Sequence, residues 1–401
     1  MINLNNIYFF LILHGNKADG KKRQMKKKIL FIYYQNIKPN GVSKVLSNLA
    51  SELSELEYEI EILFLMAPHE DFYPVHPGIK KHYIDSFGHP YSRMATGLYK
   101  KFGSVPKIYN LYSYLYDLGS YKILKKWIRE NHHQYDTIVS CWYKLSSMLS
   151  TDKEVRRKTI AWEHMGYTSG GFFWNKTMRP YYKNLKHIVS TNIPGEKYYM
   201  EFNKNSHTIY NLMDDTLEKN LFTRPGDKKN IISVVARFDP EKNISGFIDI
   251  IADTRLPPDW KVVMIGSGRD EQKIRKQVAD RNLEDRIQLL GSQNMDEVYR
   301  LLSLSKINCL TSTEEALPTI LIQAMFFSNV LIAYDCPYGP SDIISKNNGF
   351  LIPLHDRQAF IEKLEYLTGN EEPLNKLMKS SFDETAHWKK EKIIQQWKNI
   401  L

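Results

Sequence analysis

Short, unbroken apolar runs, each followed by a polar loop and then by apolar positions at helical spacing, leave this chain few folds to choose from. Lys28 to Tyr34 (KILFIYY) is the first run. It lacks polar alternation, as a central parallel strand covered on both faces requires. After Gln35 to Gly41, the positions Val45, Leu46, Leu49, Leu53 and Leu56 keep the spacing of one helix face, and Ile60 to Leu65 reads as a second strand. Strand, loop, helix and strand in this order predict a parallel βαβ unit whose ligand edge is the carboxyl end of its strands. Gly41 falls on that edge, where backbone can approach a ligand or where Asn40 and Gly41 only turn the chain.

The pattern then runs twice. Thr137 to Ser140, Thr159 to Trp162 and Ile188 to Ser190 continue a first sheet, whereas Ile231 to Val235, Lys261 to Ile265, Ile287 to Leu290, Ile307 to Leu310 and Val330 to Ala333 build a second. A chain of 401 residues with 42% hydrophobic content can fill two such cores. The expected division is an extension at 1–24 outside the fold, a first domain at 25–205, a second at 206–383, and a terminal helix at 384–401 packed across the junction. The linker runs from His207 to Met213 and on through Pro225 and Gly226 to Lys229. Ile7 to Leu13 is far short of the ~20 apolar residues a membrane span needs, so residues 1–24 read as an upstream extension or a short membrane-touching tail.

The formal charge of +10 is unevenly spread. Residues 26–200 hold 25 Lys and Arg against 15 Asp and Glu, while residues 201–401 hold 26 against 29. The basic half also carries the tyrosine- and lysine-rich stretch 91–130, which can rest on anionic lipid or a lipid-linked acceptor, or can be ordinary helices with solvated lysines. No nucleic-acid-binding module is present to absorb that charge. Cys141, Cys309 and Cys336 have no metal-ligand spacing and read as reduced core thiols of a cytosolic protein.

Polar residues gather where the predicted strands end. His164 follows Trp162 and precedes Gly166, Gly170 and Gly171. Arg237 and Lys242, five residues apart in ARFDPEKN, suit a diphosphate, because a guanidinium can fork across oxygens and an ammonium acts as a point charge. Two solvated loop cations would give the same spacing. Gly266 and Gly268 allow close backbone approach, but Glu271 stands where a dinucleotide fingerprint needs a third glycine, so the match to a dehydrogenase is weak. Thr311 to Met325 (TSTEEALPTILIQAM) is a polar loop running into a buried helix, with Pro318 at its expected first position and free amides facing the loop. Glu315 and Gln323 interrupt the apolar segment around Ala316 and Leu317. Gly339 and Pro340 open a further helix, so positive ends converge on what reads as a polyanion.

With those residues in hand, the chain from Met25 onward resembles the retaining glycosyltransferases of family 4. These have the GT-B fold: α/β, two Rossmann-like domains with parallel sheets facing an interdomain cleft. The resemblance rests on Gly41, Asn211, RFDPEKN, Gly266 to Gly268, EALPTILIQAM, and DCPYGPSDII followed by Asn348, Gly349 and Phe350. It implies Glu315 on the transferred sugar, His164 near that sugar, Arg237 and Lys242 on the donor diphosphate, and Gly41, Gly266, Gly268, Ala316, Leu317, Pro318 and Gln323 around the substrate. The chain departs from the family where Gln323 replaces a second glutamate, and where Asn40 and Gly41 replace paired glycines. The resemblance further implies no cofactor beyond the nucleotide-sugar substrate and no required metal; the sequence contains no Asp-X-Asp triplet.

The DCPYGPSDII form is similar to bacterial enzymes that use UDP-linked hexoses or N-acetylhexosamines for capsule, exopolysaccharide or lipopolysaccharide synthesis. The implied acceptor is a glycan, lipid-linked or free, met by the basic front domain. The implied location is the cytoplasm, with an anionic membrane surface as a further partner at the inner face. A non-catalytic nucleotide-sugar binder is the rival that Gln323 encourages. A sugar-nucleotide epimerase of the same fold is the other, disfavoured by RFDPEKN and EALPTILIQAM.

Overall fold

The computed structural model describes residues 26–38, 40–102, 106–213, 217 and 228–401. The extension expected at 1–24 and the linker residues Pro225 and Gly226 lie outside the described residues. The first sheet contains β1 (Lys27–Tyr33), β2 (Tyr58–Phe64), β3 (Lys80–Tyr83), β4 (Thr137–Ser140), β5 (Thr159–Glu163), β6 (His187–Ser190) and β7 (Ser206–Thr208), all parallel, in the order β3-β2-β1-β4-β5-β6-β7. The helices α1 (Gly41–Glu55), α2 (Pro90–Phe102), α3 (Pro106–Asn131), α4 (Tyr143–Ser150) and α5 (Ile193–Met200) accompany it. Strand β1 shows why its sequence lacks polar alternation. Ile29, Phe31 and Tyr33 pack with Leu46 and Leu49 on one face, and Leu30 and Ile32 pack with Leu145 and Leu149 on the other.

The second sheet contains β8 (Lys229–Val235), β9 (Lys261–Ile265), β10 (Ile287–Leu289), β11 (Ser305–Leu310), β12 (Val330–Asp335) and β13 (Gly349–Pro353), in the order β10-β9-β8-β11-β12-β13 and again all parallel. Its helices are α6 (Ile244–Asp253), α7 (Glu271–Asp280), α8 (Met295–Leu304), α9 (Thr319–Phe326), α10 (Pro340–Ile343), α11 (Arg357–Gly369), α12 (Glu371–Asp383) and α13 (Lys390–Ile400). Strand order reverses between β1 and β4 in one sheet and between β8 and β11 in the other. A doubly wound sheet opens its crevice at that reversal, because the flanking helices leave on opposite faces. The loops after β1, β4, β8 and β11 therefore form the walls of any site.

Three expectations need correction. Strand β7 pairs with β6, so the first sheet runs three residues past the boundary expected at 205. Pro318 is not the first helical residue: with ψ at 85° it caps α9, which starts at Thr319. The last segment is two pieces, a 3-10 turn at Glu384–Trp388 and then α13. Trp388 packs in a core of the second domain, while Ile393, Ile394, Trp397 and Ile400 fill the core around β1. The segment thus spans the junction. All three cysteines are free and buried, and among the described residues no helix is long and apolar enough to cross a membrane.

Candidate active site

A cavity of about 440 Å³ lies between the two sheets. From the first domain it is lined by Asn40, Gly41, Trp142 and His164, and from the second by Arg237, Glu315, Ala316, Leu317 and Gln323. The loop after β1 reaches it because Asn40 caps α1: its Oδ1 accepts from the Val42 amide at 2.8 Å and the Ser43 amide at 3.3 Å. Gly41 is thereby the first helical residue, and a Cβ added there would meet nothing within 4 Å. His164 leaves the end of β5, with its ring 4.4 Å from that of Trp162. Its Nε2 is buried without a hydrogen-bond partner, and burial pushes its pKa down to about 3. The imidazole is therefore neutral at pH 7, with one ring nitrogen available to a ligand. The Asn211 Oδ1 is likewise buried and unpartnered on the cavity wall.

Glu315 is held on its loop by two donors. Lys242 Nζ donates to its Oε1 at 2.6 Å and Ser312 Oγ donates to the same oxygen at 2.7 Å. The two loops are also stitched along their backbones, because the Thr313 amide donates to the Glu241 carbonyl at 2.8 Å and Thr311 Oγ1 to the Asn243 carbonyl at 3.2 Å. Asn243 makes the turn into α6 with φ at 51°, a conformation asparagine tolerates better than most residues. Arg237 pairs with Asp239 at 2.6 Å and Glu241 at 3.1 Å. Arg269 was not anticipated from the sequence, although it directly follows Gly268. It pairs with the same two carboxylates at 3.2 and 3.3 Å. Both guanidinium side chains are about 70% exposed, at 69% and 71%. The pairs to Glu241, itself 36% exposed, contribute ~0–1 kcal/mol and yield readily to a multiply charged anion, whereas Asp239 is 8% exposed and also accepts from the Arg269 amide at 3.2 Å.

Several expected site residues stand elsewhere. Gly266 and Gly268 do not line the cavity. Their smallness serves the neighbouring loop: a Cβ on Gly266 would come 1.8 Å from the Ala236 carbonyl oxygen, and one on Gly268 would come 2.6 Å from that of Phe238. Ser267 and Phe238 are joined there by a backbone bond of 2.9 Å. These glycines therefore seat the Arg237–Lys242 loop. Pro318 and Lys242 also stand off the lining, with Lys242 bonded to Glu315 at its edge. Gln323 is buried on α9 and lines the cavity. Helix α10 is a single turn, too short to present the second anion-binding end expected at Gly339 and Pro340.

Three hydrogen bonds cross between the domains along one edge of the cavity. Asn192 Nδ2 donates to the Ala316 carbonyl at 3.0 Å, the Ile193 amide to Asp342 Oδ2 at 2.6 Å, and Thr168 Oγ1 meets the Tyr338 hydroxyl at 2.8 Å. Tyr338 sits at φ 71°, followed by Gly339 at φ 47° against Pro318 and Ala316. Burial holds the Asp342 carboxyl above its usual range, and the Ile193 amide offsets only part of that rise. The thiol of Cys336, beside Glu315, is raised to about 12 by burial and is inert at neutral pH.

Residues 218–383 match the family model described as glycosyl transferases group 1. An amylovoran biosynthesis glycosyltransferase of Erwinia amylovora, AmsD, is 27% identical over 175 residues, which cover 43% of this chain and 48% of that protein. A Campylobacter jejuni α-1,4-N-acetyl-D-galactosaminyltransferase, named for a diphosphoundecaprenol-linked acceptor, is 28% identical over 178 residues, 44% of this chain and 48% of that one. The chain thus spans about half the length of these curated relatives. Among solved structures, Anabaena HepE in complex with UDP superposes with a TM-score of 0.69 at 15% identity, covering 93% of this chain and 98% of that one. The architecture reached here from strand order and cavity position is the GT-B fold of glycosyltransferases.

Proposed function

We propose that the protein is a retaining glycosyltransferase that moves a hexose or N-acetylhexosamine from a UDP-sugar to a glycan acceptor in bacterial surface-polysaccharide synthesis. One observation carries this reading: Glu315, His164, Gln323 and Arg237 line a single cavity between the sheets, and Lys242 is bonded to Glu315 at its edge. The group 1 match over residues 218–383 and the relatives named for polysaccharide and lipid-linked glycan synthesis support it.

In this reading the exposed Arg237 and Arg269 exchange Glu241 for the donor diphosphate. They and Lys242 then stabilise the charge that builds on the leaving β-phosphate. The carboxylate of Glu315, fixed by Lys242 and Ser312, contacts sugar hydroxyls. Neutral His164 offers Nε2 to the sugar from the opposite wall without adding charge. Gln323 takes the nucleotide ribose, accepting one hydrogen bond and donating another where a carboxylate could only accept. The cations do the work a metal would otherwise do. Peripheral contact with the inner membrane face and a lipid-linked acceptor belong to the same reading, drawn from the basic front half.

A panel of UDP- and GDP-sugars tests it. UDP-sugars should raise the melting temperature, by the equivalent of about 2.7 kcal/mol at a hundredfold excess over Kd. Acceptor-dependent release of UDP should then continue undiminished in EDTA. Stabilisation by UDP-sugars without any transfer or hydrolysis would favour a non-catalytic binder instead.

A further inference from the structure

A second cavity, of about 270 Å³, opens on the flank of the first domain between α3, α4 and the turn Phe173–Met178. Its walls are apolar and aromatic, among them Tyr114, Leu118, Tyr121, Met148, Phe173 and Trp174. Tyr114 and Phe173 join edge to face across it at 5.6 Å. The rim continues outward into Phe172, 78% exposed. Tyr114 and Phe173 on its wall are themselves 50% and 38% exposed, so the rim is an apolar patch. Such a patch around a formed pocket marks a binding site.

The charge beside it is cationic. Positions 114, 118, 121 and 125 follow one face of α3 at spacings of four, three and four, which puts Lys125 one turn beyond the last ring of the wall. Its Nζ sits 5.4 Å from the Tyr121 ring centre, and Lys144 Nζ sits 5.6 Å from that of Trp174. The one carboxylate facing the cavity, Asp117, is bonded to Lys144 at 2.7 Å. Lys125, donating to the Tyr121 hydroxyl at 3.3 Å, is left as the local cation, while Lys122 sits over the Tyr91 ring of α2 at 4.6 Å. Packed rings link this cavity to the one between the domains: its wall residue Trp174 packs edge-on to Tyr143 at 6.0 Å, and Tyr143 lies 5.4 Å from Trp142 on the wall of the larger cavity. The loop from His164 reaches the same wall at Phe173.

We propose that this flank cavity binds a lipid phosphate, with its apolar chain between Tyr114, Met148 and Trp174 and its phosphate against Lys125, and that this ligand is the lipid end of the acceptor. The acceptor assignment rests on the transferase reading; the affinity for a lipid phosphate does not. The test titrates the full chain calorimetrically with monomeric farnesyl phosphate, with farnesol, and with phosphatidylglycerol vesicles.

Farnesyl phosphate should bind about tenfold tighter than farnesol, the weight of one cation contact. Lys125→Gln should erase that difference, and Thr151→Trp at the cavity edge should weaken both ligands. Stabilisation by UDP should be unchanged in either variant. Binding that both variants leave intact, competition by UDP, or capture of vesicles without binding of monomer would each overturn the site. If farnesyl phosphate binds as expected while no UDP-sugar is recognised, the lipid-phosphate site stands and its acceptor role falls.

Discussion

Arg237 and Lys242 occupy one loop but stand in different electrostatic settings. The guanidinium is exposed and shares Asp239 and Glu241 with Arg269, whereas the ammonium is mostly buried against Glu315. Replacing either by alanine should lower kcat about 10² to 10³-fold, the usual loss of one preorganised donor. For Lys242→Ala, KM should rise as well, because Glu315 loses the group that fixes it. Steady-state kinetics with a UDP-sugar check both, and near-normal turnover in both variants would remove the diphosphate assignment. The sequence offered this pair because a guanidinium and an ammonium at a strand's carboxyl end before a helix suit a diphosphate, though two solvated loop cations would share that spacing. It hid Arg269, whose role depends on Asp239 being thirty residues away in sequence and 3.2 Å away in space. The glycines 266 and 268 were read as ligand contacts. They are packing contacts beneath the Arg237–Lys242 loop, since the same lack of a Cβ serves either purpose.

At the scale of elements, those glycines predict a test. Gly266→Ala drives a methyl group into the Ala236 carbonyl at a φ of 153°, so it should destabilise the fold by about 1–3 kcal/mol and weaken UDP binding through the displaced loop. Thermal melts with and without UDP read both effects. Edge strands supply a second test. His187 Nδ1 on β6 lies 3.0 Å from His207 Nε2 on β7. Burial, then the second imidazole, depresses the His187 pKa to about 4. The folded state therefore binds fewer protons than the unfolded one between pH ~6.5 and pH 4, and stability is lost as pH falls through that window. His187→Gln should flatten part of that decline in a melting-temperature profile, leaving the share due to buried His164. Neither β3 (KKHY) nor β7 (SHT) was legible in the sequence. As half-polar edge strands they lack the unbroken apolar run that betrayed β1, β8 and β12, and only pairing with a neighbour reveals them.

The whole molecule is two doubly wound layers joined along one edge by the Asn192–Ala316, Ile193–Asp342 and Thr168–Tyr338 contacts. With that edge as the pivot, ligand binding at the far side should swing the sheets together. X-ray scattering should show a smaller radius of gyration with UDP than without. An unchanged value would mean that the cleft is already set. Sequence patterning disclosed two domains because each repeats the strand–helix alternation. It could not disclose these contacts, whose partners lie 124 to 170 residues apart.

The terminal segment has a consequence for how such a chain is made. Ile393, Ile394, Trp397 and Ile400 fill the core built on β1 and α1, and the Leu401 backbone oxygen accepts from Thr137 and Lys186 of the same domain. A ribosome delivers residues 27–208 long before residues 393–401. Through most of synthesis, the domain completed first thus presents a bare patch around Phe31 and Trp162 that only the late-arriving helix covers. Expressed as an isolated fragment, that domain would keep the patch open and be prone to stick to itself.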